Sequence, residues 1–405
     1  MGRLTCLVLL AAALLLTSCS GSSGTGSGTV PASTVADTSP FVTTSGDEFV
    51  GRDGQPVQLR GFNIHTIDPA VYQEAVTLGA NFIRVTTPWS DYEPVPPTGD
   101  VHHWDTARLA QLDQLVSFCN EHHINLLLDF HQYGWSPYFA AVQRGGRANG
   151  IPAWFYEDGR YPATVNGLNR AKEQFFTDPE GAALYGDFAA MMAQRYRHSP
   201  SVMGYEIMNE PDTGALPRDH ATTQLVVRWE AQVLGRLQAV DDTRTTVFML
   251  RGGPSMGALH ADLADFGPLD HLALDVHDYF AGTGGSGYKP DGENVSFQYT
   301  STLQGAPYTG TLASQAAYLD VGVRAARRFG VPLMVGEWGA FRTMPGIEVY
   351  QSQMVSLLDS MGISWARWSL DRAEELSVLK RDGSPTPAAT QLQQLLHSPP
   401  ATASP

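Results

Sequence analysis

The sequence predicts an α/β protein built as a single (β/α)8 TIM barrel, with a long aromatic-rich insertion after the third barrel strand. Eight short apolar runs alternate with longer amphipathic stretches along the chain. The runs show little polar–apolar alternation, as in Ile124-Asn125-Leu126-Leu127-Leu128, which is typical of parallel strands buried on both faces. Polar residues follow the apolar cores of most runs, at the strand ends where such barrels carry their functional sites.

The predicted strands are spaced so that a helix fits between most neighbours. In chain order they are Val57–His65, Asn81–Trp89, Ile124–Gln132, Val202–Pro211, Thr245–Arg251, His271–Phe280, Pro332–Phe341 and Ile363–Arg372. Between them, Trp104–Asn120 and Gln315–Phe329 have helical periodicity. A hairpin signal at Glu48–Val57 precedes the first strand, and we expect it to close the bottom of the barrel.

Composition excludes several classes of protein. Hydrophobic residues make up 43% of the chain and aromatic residues 10%, which is incompatible with a disordered chain. The net charge of −15 repels phosphate backbones, so we expect no nucleic-acid partner. Of three cysteines only Cys119 lies outside the N-terminal segment, on a helical stripe with Leu109, Leu112 and Val116, and we expect it to be buried.

The N-terminal segment has the features of an export signal. Arg3 precedes the apolar run Leu7–Leu16, which is too short to span a membrane as a helix. The run leads into Leu16-Thr17-Ser18-Cys19, which resembles the lipobox of bacterial lipoproteins. The resemblance implies lipidation of Cys19 and a lipoprotein on the cell surface or in the periplasm, with an ordinary secretory signal as the alternative. We expect the protein to be a monomer.

These patterns divide the chain into four segments. Residues 1–18 form the predicted signal peptide, and residues 19–40 form a tether of mostly Ser, Gly, Thr, Ala and Pro that cannot bury a core. Residues 41–396 form the barrel domain, and residues 397–405 form a disordered tail.

Two glutamates end the fourth and seventh predicted strands, in Asn209-Glu210-Pro211 and Glu337-Trp338-Gly339. In a closed barrel these strand ends lie roughly opposite each other. Two facing carboxyl groups are what glycoside cleavage with retention requires, because one attacks the sugar while the other donates a proton to the departing oxygen. Trp368 can stack against a sugar face, and Asn209 can bind the sugar 2-hydroxyl.

An ordered set of short motifs resembles glycoside hydrolase family 5, the cellulase-like family. The motifs are Leu59-Arg60-Gly61-Phe62-Asn63, Asn81-Phe82-Ile83-Arg84-Val85, Leu128-Asp129-Phe130-His131, Met208-Asn209-Glu210-Pro211, Val276-His277-Asp278-Tyr279, Gly336-Glu337-Trp338-Gly339 and Ser364-Trp365-Ala366-Arg367-Trp368-Ser369. The resemblance implies Glu210 as acid/base and Glu337 as nucleophile. It places Arg84 and Tyr279 against the nucleophile, and the sugar-binding residues His131, Asn209, His277 and Trp368 around the cleaved subsite.

Other polar residues near the motifs have structural interpretations. We interpret Glu206 as a buried carboxylate paired with an arginine, Asp129 and Asp278 as supporting residues, and Arg60 as an ion-pair partner. A barrel amidohydrolase would carry His-x-His at the end of its first strand, where this chain has Asn63-Ile64-His65. We therefore expect no catalytic metal and no cofactor.

The substrate is a carbohydrate, but the motifs leave its class open. The insertion from Tyr133 to Asp178 carries ten aromatics. The pieces His131-Gln132, Gly150-Ile151-Pro152-Ala153-Trp154 and Phe175-Phe176 resemble the endoglycoceramidase branch of the same family. We expect an endo-β-glucanase activity first, with glycolipid hydrolysis or β-mannan hydrolysis as alternatives. Trp89, Trp135 and Trp154 are the candidates for leaving-group subsites.

A non-enzymatic alternative is a surface lipoprotein that only binds sugars. Such a protein would be expected to have lost one of the two carboxylates, whereas this chain has both Glu210 and Glu337. For an enzyme, we expect Arg84 to favour the charged form of Glu337, and ionised Glu337 to raise the pKa of Glu210.

Overall fold

The computed structural model describes residues 37–143, 146–250, 260–279, 288–291, 294–300, 307–310, 312–343 and 347–399. The predicted signal peptide and most of the tether lie outside these residues. The strands, in chain order, are β1 (Val42–Ser45), β2 (Glu48–Gly51), β3 (Arg60–Ile64), β4 (Phe82–Thr86), β5 (Asn125–Asp129), β6 (Val202–Glu206), β7 (Thr245–Phe248), β8 (Leu272–Asp278), β9 (Tyr288–Asp291), β10 (Asn294–Thr300), β11 (Pro307–Gly310), β12 (Leu333–Trp338) and β13 (Ser364–Arg367).

Eight of these strands close a parallel barrel, in the order β3-β4-β5-β6-β7-β8-β12-β13 with β13 returning to β3. Each of the eight lies within one of the predicted runs, so the (β/α)8 prediction is confirmed. Every residue of the eight strands is buried, which explains why the runs lack alternation.

The hairpin at the bottom of the barrel begins earlier than predicted. β1 pairs antiparallel with β2, while the segment after the Gly51–Gly54 turn makes only a short bridge between Val50 and Pro56. Pro56 has no N–H to donate, so a longer ladder cannot form there. Val42 and Phe49 pack against a layer of interior side chains, one from each barrel strand or its entry: Leu59, Phe82, Leu127, Met203, Val247, Ala273, Met334 and Ala366. The expected closure of the barrel bottom is confirmed.

Helices cover the outside of the barrel. They are α1 (Pro69–Thr77), α2 (Trp89–Tyr92), α3 (Thr106–His122), α4 (Val165–Phe175), α5 (Pro179–Tyr196), α6 (His220–Gln238), α7 (Leu312–Phe329), α8 (Ile347–Ser360) and α9 (Pro387–His397). In α3, Asp105 caps the first turn, and the buried face includes the free thiol of Cys119, as predicted. Among the described helices, none combines the length and the apolar character needed to cross a bilayer.

The structure also contains one small sheet that the sequence did not predict. β9, β10 and β11 pair antiparallel in the connection between β8 and α7, with β10 in the centre.

Candidate active site

The guanidinium of Arg84 organises the mouth of the barrel. Arg84 lies on β4 and is fully buried. Its five N–H groups are all engaged: Nε and one Nη2 hydrogen donate to Glu206, at 2.7 and 2.9 Å. The remaining hydrogens donate to Asn209 Oδ1 at 2.8 Å, to Asn63 Oδ1 at 2.9 Å and to Glu337 Oε1 at 2.9 Å. One rigid cation therefore fixes both strand ends that carry the paired glutamates.

Glu337 stands on a bulged strand. Between Val335 and Glu337, β12 contains one residue more than its neighbour β8, because Val335 pairs with Val276 whereas Glu337 pairs with His277. The extra residue is Gly336, whose N–H donates to Asp275 Oδ1 at 2.6 Å. A Cβ at this position would lie 2.0 Å from Asp275 Oδ2, so only glycine fits. The bulge directs the carboxylate toward Arg84, on the side of the barrel mouth.

Tyr279 holds the second oxygen of this carboxylate. Its hydroxyl donates to Glu337 Oε2 at 2.7 Å, while Arg84 donates to Oε1. Both side chains that the motifs place against the nucleophile therefore contact it. With one donor on each oxygen, Glu337 is fixed in orientation and its negative charge is stabilised.

Glu210 follows β6 and reaches into the open mouth, with 43% of its side chain exposed. Its backbone is left-handed, with φ of 41°, an uncommon conformation for a residue other than glycine. His277 Nδ1 lies 2.8 Å from Glu210 Oε1 and 3.6 Å from Glu337 Oε2, so one imidazole contacts both carboxylates. The other ring nitrogen lies 3.5 Å from Asp275 Oδ2.

The charges around His277 reverse the expected protonation of Glu210. Burial lowers the pKa of His277, but Glu337, Asp275 and Glu210 together raise it well above its ordinary value. For Glu210, desolvation by the surrounding barrel mouth raises the pKa of the partly exposed carboxyl, but the hydrogen bond and charge of His277 outweigh it and lower the pKa below its ordinary value. The prediction that Glu337 raises the pKa of Glu210 was wrong, because His277 lies closer. In the free site the pair shares one proton that resides on His277.

The two glutamates are close enough for a retaining mechanism. An oxygen of Glu210, Nδ1 of His277 and an oxygen of Glu337 all lie within 4.8 Å of one another. Retaining glycosidases hold their carboxyl groups about 5–5.5 Å apart, whereas inverting enzymes leave about 6.5–9.5 Å for a water molecule. The limit of 4.8 Å between oxygens of the two carboxyl groups lies below the inverting range and favours the first class.

Aromatic and polar side chains form the wall beside Glu337. The half-buried ring of Trp368 is stacked on His131, with centroids 5.6 Å apart, and on His65, with centroids 6.0 Å apart. Asp129 lies 2.7 Å from Nδ1 of His131. Burial lowers the pKa of His131 to about 3, so the ring is neutral and carries one donor and one acceptor nitrogen.

Two further carboxyls lie beneath the site. Burial raises the pKa of Glu206 to about 8 and that of Asp129 to about 7, although the charge of Arg84 opposes both shifts. Glu206 is paired with Arg84, as interpreted from the sequence.

The two other residues with structural interpretations have partners outside this network. Arg60 lies away from the mouth, 3.5 Å from Asp359, and Asp278 accepts a hydrogen bond from Gln315.

Two of the three tryptophans proposed for leaving-group subsites are packing residues. Trp135 has no exposed surface, and its indole N–H donates to the Tyr156 hydroxyl at 2.7 Å. Trp89 is equally buried, and its N–H donates to Glu93. Trp154 is half-buried against the edge of Trp89. The insertion has an aromatic core of its own, and burying that core explains most of its aromatic content.

Tyr133 is the insertion aromatic that faces solvent, with 57% of its surface exposed. Its main chain is tied to Asn149, whose side chain accepts from the Tyr133 N–H at 2.7 Å. The preceding residue, Gln132, donates to the main-chain carbonyls of Asn209 and Glu210. Tyr133 is thus the exposed aromatic that follows directly on the segment holding Glu210.

Among the residues that the structure describes, three sets of side chains have the spacing of metal ligands. They are Asp129 with His131 and Glu337, Glu206 with Asp275 and His277, and Glu210 with His277 and Glu337. Each set is already joined by hydrogen bonds or ion pairs to Arg84 or His277. A metal ion at these positions would have to replace those contacts.

Sequence reasoning missed three residues that shape the site. Asn63 donates to the Gly336 carbonyl at 2.8 Å, Asp275 binds the Gly336 N–H, and Gln132 binds the chain at Glu210. Asn63 ends the first of the family motifs and Gln132 ends the third predicted strand, so their positions in the sequence already marked them as candidates. Asp275 was marked as well, because it lies two residues before His277 and thus on the same strand face.

Comparison with known proteins gives a family match. Residues 50–374 match the family described as Cellulase (glycosyl hydrolase family 5). Among curated relatives, a mannan endo-1,4-beta-mannosidase 2 from Oryza sativa subsp. japonica is 23% identical over 222 residues, which is 50% of this chain and 45% of that protein. The chain spans less than half the length of the curated relatives it matches first.

Two solved structures share the fold over most of the chain. An endogalactoceramidase superimposes with a TM-score of 0.67 at 19% identity, covering 88% of this chain and 84% of that one. Endo-glycoceramidase II from Rhodococcus sp. superimposes with a TM-score of 0.63 at 22% identity, covering 85% of this chain and 80% of that one.

Proposed function

Because the chain belongs to glycosyl hydrolase family 5, we propose that it is a retaining endo-β-glycosidase with Glu337 as nucleophile and Glu210 as acid/base. The observation that carries the proposal is the close pair of carboxylates, within 4.8 Å of each other through His277. The orientation of Glu337 by Arg84 and Tyr279 supports its role as the ionised partner.

In the first step, Glu337 attacks the anomeric carbon while the glycosidic oxygen departs. The departing oxygen takes a proton from Glu210 as Glu210 receives one from His277 through their hydrogen bond of 2.8 Å, which leaves Glu210 ionised and His277 neutral. A covalent glycosyl-enzyme forms on Glu337. Asn209, oriented by Arg84, is placed to bind the sugar 2-hydroxyl, and Trp368 to stack on the ring.

In the second step, a water molecule takes the place of the leaving group. Glu210 removes a proton from this water, and the resulting oxygen attacks the anomeric carbon and releases Glu337. Two inversions restore the original configuration, so the product is the β-anomer.

Azide distinguishes the two roles. Glu337→Ala should lose nearly all turnover, and azide should partly restore it by forming an α-glycosyl azide. Glu210→Ala should retain cleavage of an activated aryl glycoside, and azide should accelerate it by forming the β-glycosyl azide. Product anomers are read by NMR, and a wild-type product that appears first as the α-anomer would contradict the proposal.

For the substrate, we propose a β-glucan or its oligosaccharides, in keeping with the cellulase family. Glycolipid cleavage is the second candidate, supported by the likeness to endogalactoceramidase over 88% of the chain and by the exposed ring of Tyr133, which follows the Gln132 that binds the main chain at Glu210. β-Mannan is the third, because curated relatives are mannosidases. A hydrolysis panel of β-glucan, β-mannan and glycosylceramide, with product analysis, separates the three. Cleavage of glycosylceramide alone would replace the first candidate with the second.

We further propose that the protein is a monomeric lipoprotein anchored at Cys19. The apolar run Leu7–Leu16 and the following Leu16-Thr17-Ser18-Cys19 support this proposal. Each buried CH2 of an acyl chain contributes about 0.8 kcal/mol, so two or more chains anchor stably.

A further inference from the structure

The side chain of Gln132 binds the main chain at Glu210, the proposed acid/base. We propose that Gln132 is a positioning residue for Glu210: its amide binds the backbone on which the acid stands and thereby sets where the carboxyl points. This inference rests on the acid/base role proposed for Glu210.

Gln132 joins the ends of β5 and β6. Its side chain is 6% exposed, and its amide donates both hydrogens, to the Asn209 carbonyl at 3.1 Å and to the Glu210 carbonyl at 2.8 Å. Both partners are acceptors, so the NH2 group and not the carbonyl of the amide must face them. In return, the side-chain NH2 group of Asn209 donates to the main-chain carbonyl of Gln132 at 3.0 Å. Three hydrogen bonds thus connect two segments that lie beyond their strands.

The backbone at Glu210 depends on such a support. The last residue of β6 is Glu206, so the carbonyls of Asn209 and Glu210 lie beyond the strand ladder. Glu210 is left-handed with φ of 41°, and the next residue, Pro211, has no N–H that could tie down this turn. Gln132 supplies the donors at this point, and the surrounding structure must hold a conformation that the chain would not adopt alone.

A small rotation of this backbone would move the acid. Glu210 extends into the open mouth, where His277 is the partner of its carboxyl. A general acid must lie within hydrogen-bond reach of the oxygen it protonates. A displacement of about 1 Å can cost on the order of 100-fold in rate. Gln132 therefore affects proton transfer while leaving the nucleophile untouched.

Gln132→Met keeps the size of the side chain and removes both donors. On a phenyl β-glycoside, whose leaving group needs a proton, kcat/KM should fall about 10- to 100-fold, part of the effect of a general acid. On a dinitrophenyl β-glycoside, whose leaving group needs none, kcat/KM should stay within about threefold. Azide should raise kcat on the dinitrophenyl substrate for the variant and not for the wild type, because the base of the second step is also displaced.

Gln143→Met is the matched control. Gln143 lies in the same insertion and donates one amide hydrogen to a main-chain carbonyl, that of Gly134 at 3.1 Å. Thermal unfolding of both variants reports any loss of stability. If Gln132→Met fails to fold, Gln132→Glu replaces it, since it keeps the shape but sets an oxygen against two carbonyl oxygens.

A double variant tests the coupling. In Glu210→Ala there is no acid to position, so adding Gln132→Met should cause little further loss on the phenyl substrate. Equal losses on both substrates, or the same pattern in Gln143→Met, would overturn the proposal while the role of Glu210 stands. If Glu210→Ala itself showed no dependence on the leaving group, the proposed function would fail instead.

Discussion

Replacement of Arg84 by methionine tests whether one buried cation holds the site together. The substitution removes five hydrogen bonds and leaves the carboxyls of Glu206, Glu337 and Asp129 buried without their common cation. Removing one partner of a buried ion pair costs about 3–5 kcal/mol. Domains of this kind are stable by about 5–15 kcal/mol, so Arg84→Met should fold but with a large part of its stability lost.

The loss should depend on pH. Burial already raises the pKa of Glu206 to about 8 and that of Asp129 to about 7 in the folded protein, above the values of 4.5 and 3.8 for free groups. A carboxyl whose pKa is higher in the folded state stabilises the fold below its unfolded pKa. That stability is lost as the pH rises toward the folded pKa. Without Arg84 both folded pKa values rise further, so the destabilisation should be greater at about pH 8 than at about pH 5.

Urea unfolding at both pH values measures the effect, and Arg60→Met is the matched control. Arg60 is also buried, on the adjacent strand β3, and binds Asp359 and two main-chain carbonyls away from the mouth. Its loss leaves one buried carboxyl without a cation instead of three, so it should lower the free energy of unfolding less than Arg84→Met does and leave kcat/KM unchanged. If Arg84→Met unfolded with the same free energy as Arg60→Met at both pH values, the common-cation argument would be refuted.

Four further predictions concern the partner of Glu210, an exposed and a buried aromatic of the insertion, and the lipid anchor. His277→Gln should move the alkaline limb of kcat/KM to lower pH, because the proton is then held by Glu210 alone; an unchanged limb in the pH–rate profile would contradict the shared proton. Tyr133→Ala should weaken long or amphiphilic substrates about 5- to 10-fold in kcat/KM, on the order of 1 kcal/mol, while a small aryl glycoside is nearly unaffected. Trp135→Ala, by contrast, should lower the unfolding temperature and both activities together, because its ring is buried. Cys19→Ser should release the protein from the membrane fraction, whereas a wild type found wholly in the medium, cleaved beyond Cys19, would exclude the anchor.

The barrel was predictable because strands that are buried on both faces consist of nearly continuous apolar residues. Runs such as Ile124–Leu128 have no polar alternation, and a strand buried on both faces is the simplest reason for it. Because the strands are parallel, the residues that follow each run meet at the same end of the barrel. The β9–β11 sheet had no such apolar run, because its short strands lie inside a connection rich in Gly and Ser.

The aromatic insertion shows why composition does not locate a binding surface. Trp135 and Tyr133 are two residues apart in one short segment, yet the first is fully buried and the second is mostly exposed. An insertion of this length needs a core, and aromatic side chains serve a core and a sugar platform equally well. Only the fold of the segment, with Gly134 and Trp135 both at positive φ, decides which ring turns inward.

Protonation was harder to predict than position for a related reason. Motifs identify Glu210 and Glu337 as a pair, and a pair considered alone would raise the pKa of the acid. The pKa of Glu210 is instead set by His277, which comes from a different strand and is itself held by Asp275. Electrostatic shifts sum over everything nearby in space, whereas a motif describes only what is nearby in sequence.

Both proposed catalytic carboxylates depart from regular strand geometry, and each is held by side chains that come from other strands or strand ends. Glu337 follows the bulge at Gly336, which Asp275 and Asn63 bind from either side. Glu210 stands on a left-handed residue that Gln132 holds. A regular barrel would point side chains by simple alternation, so these departures are what bring two carboxylates within 4.8 Å across the mouth. These residues lie far from Glu210 and Glu337 in sequence, so the motifs that contain Asn63 and Gln132 gave no sign of the contacts that the two side chains make.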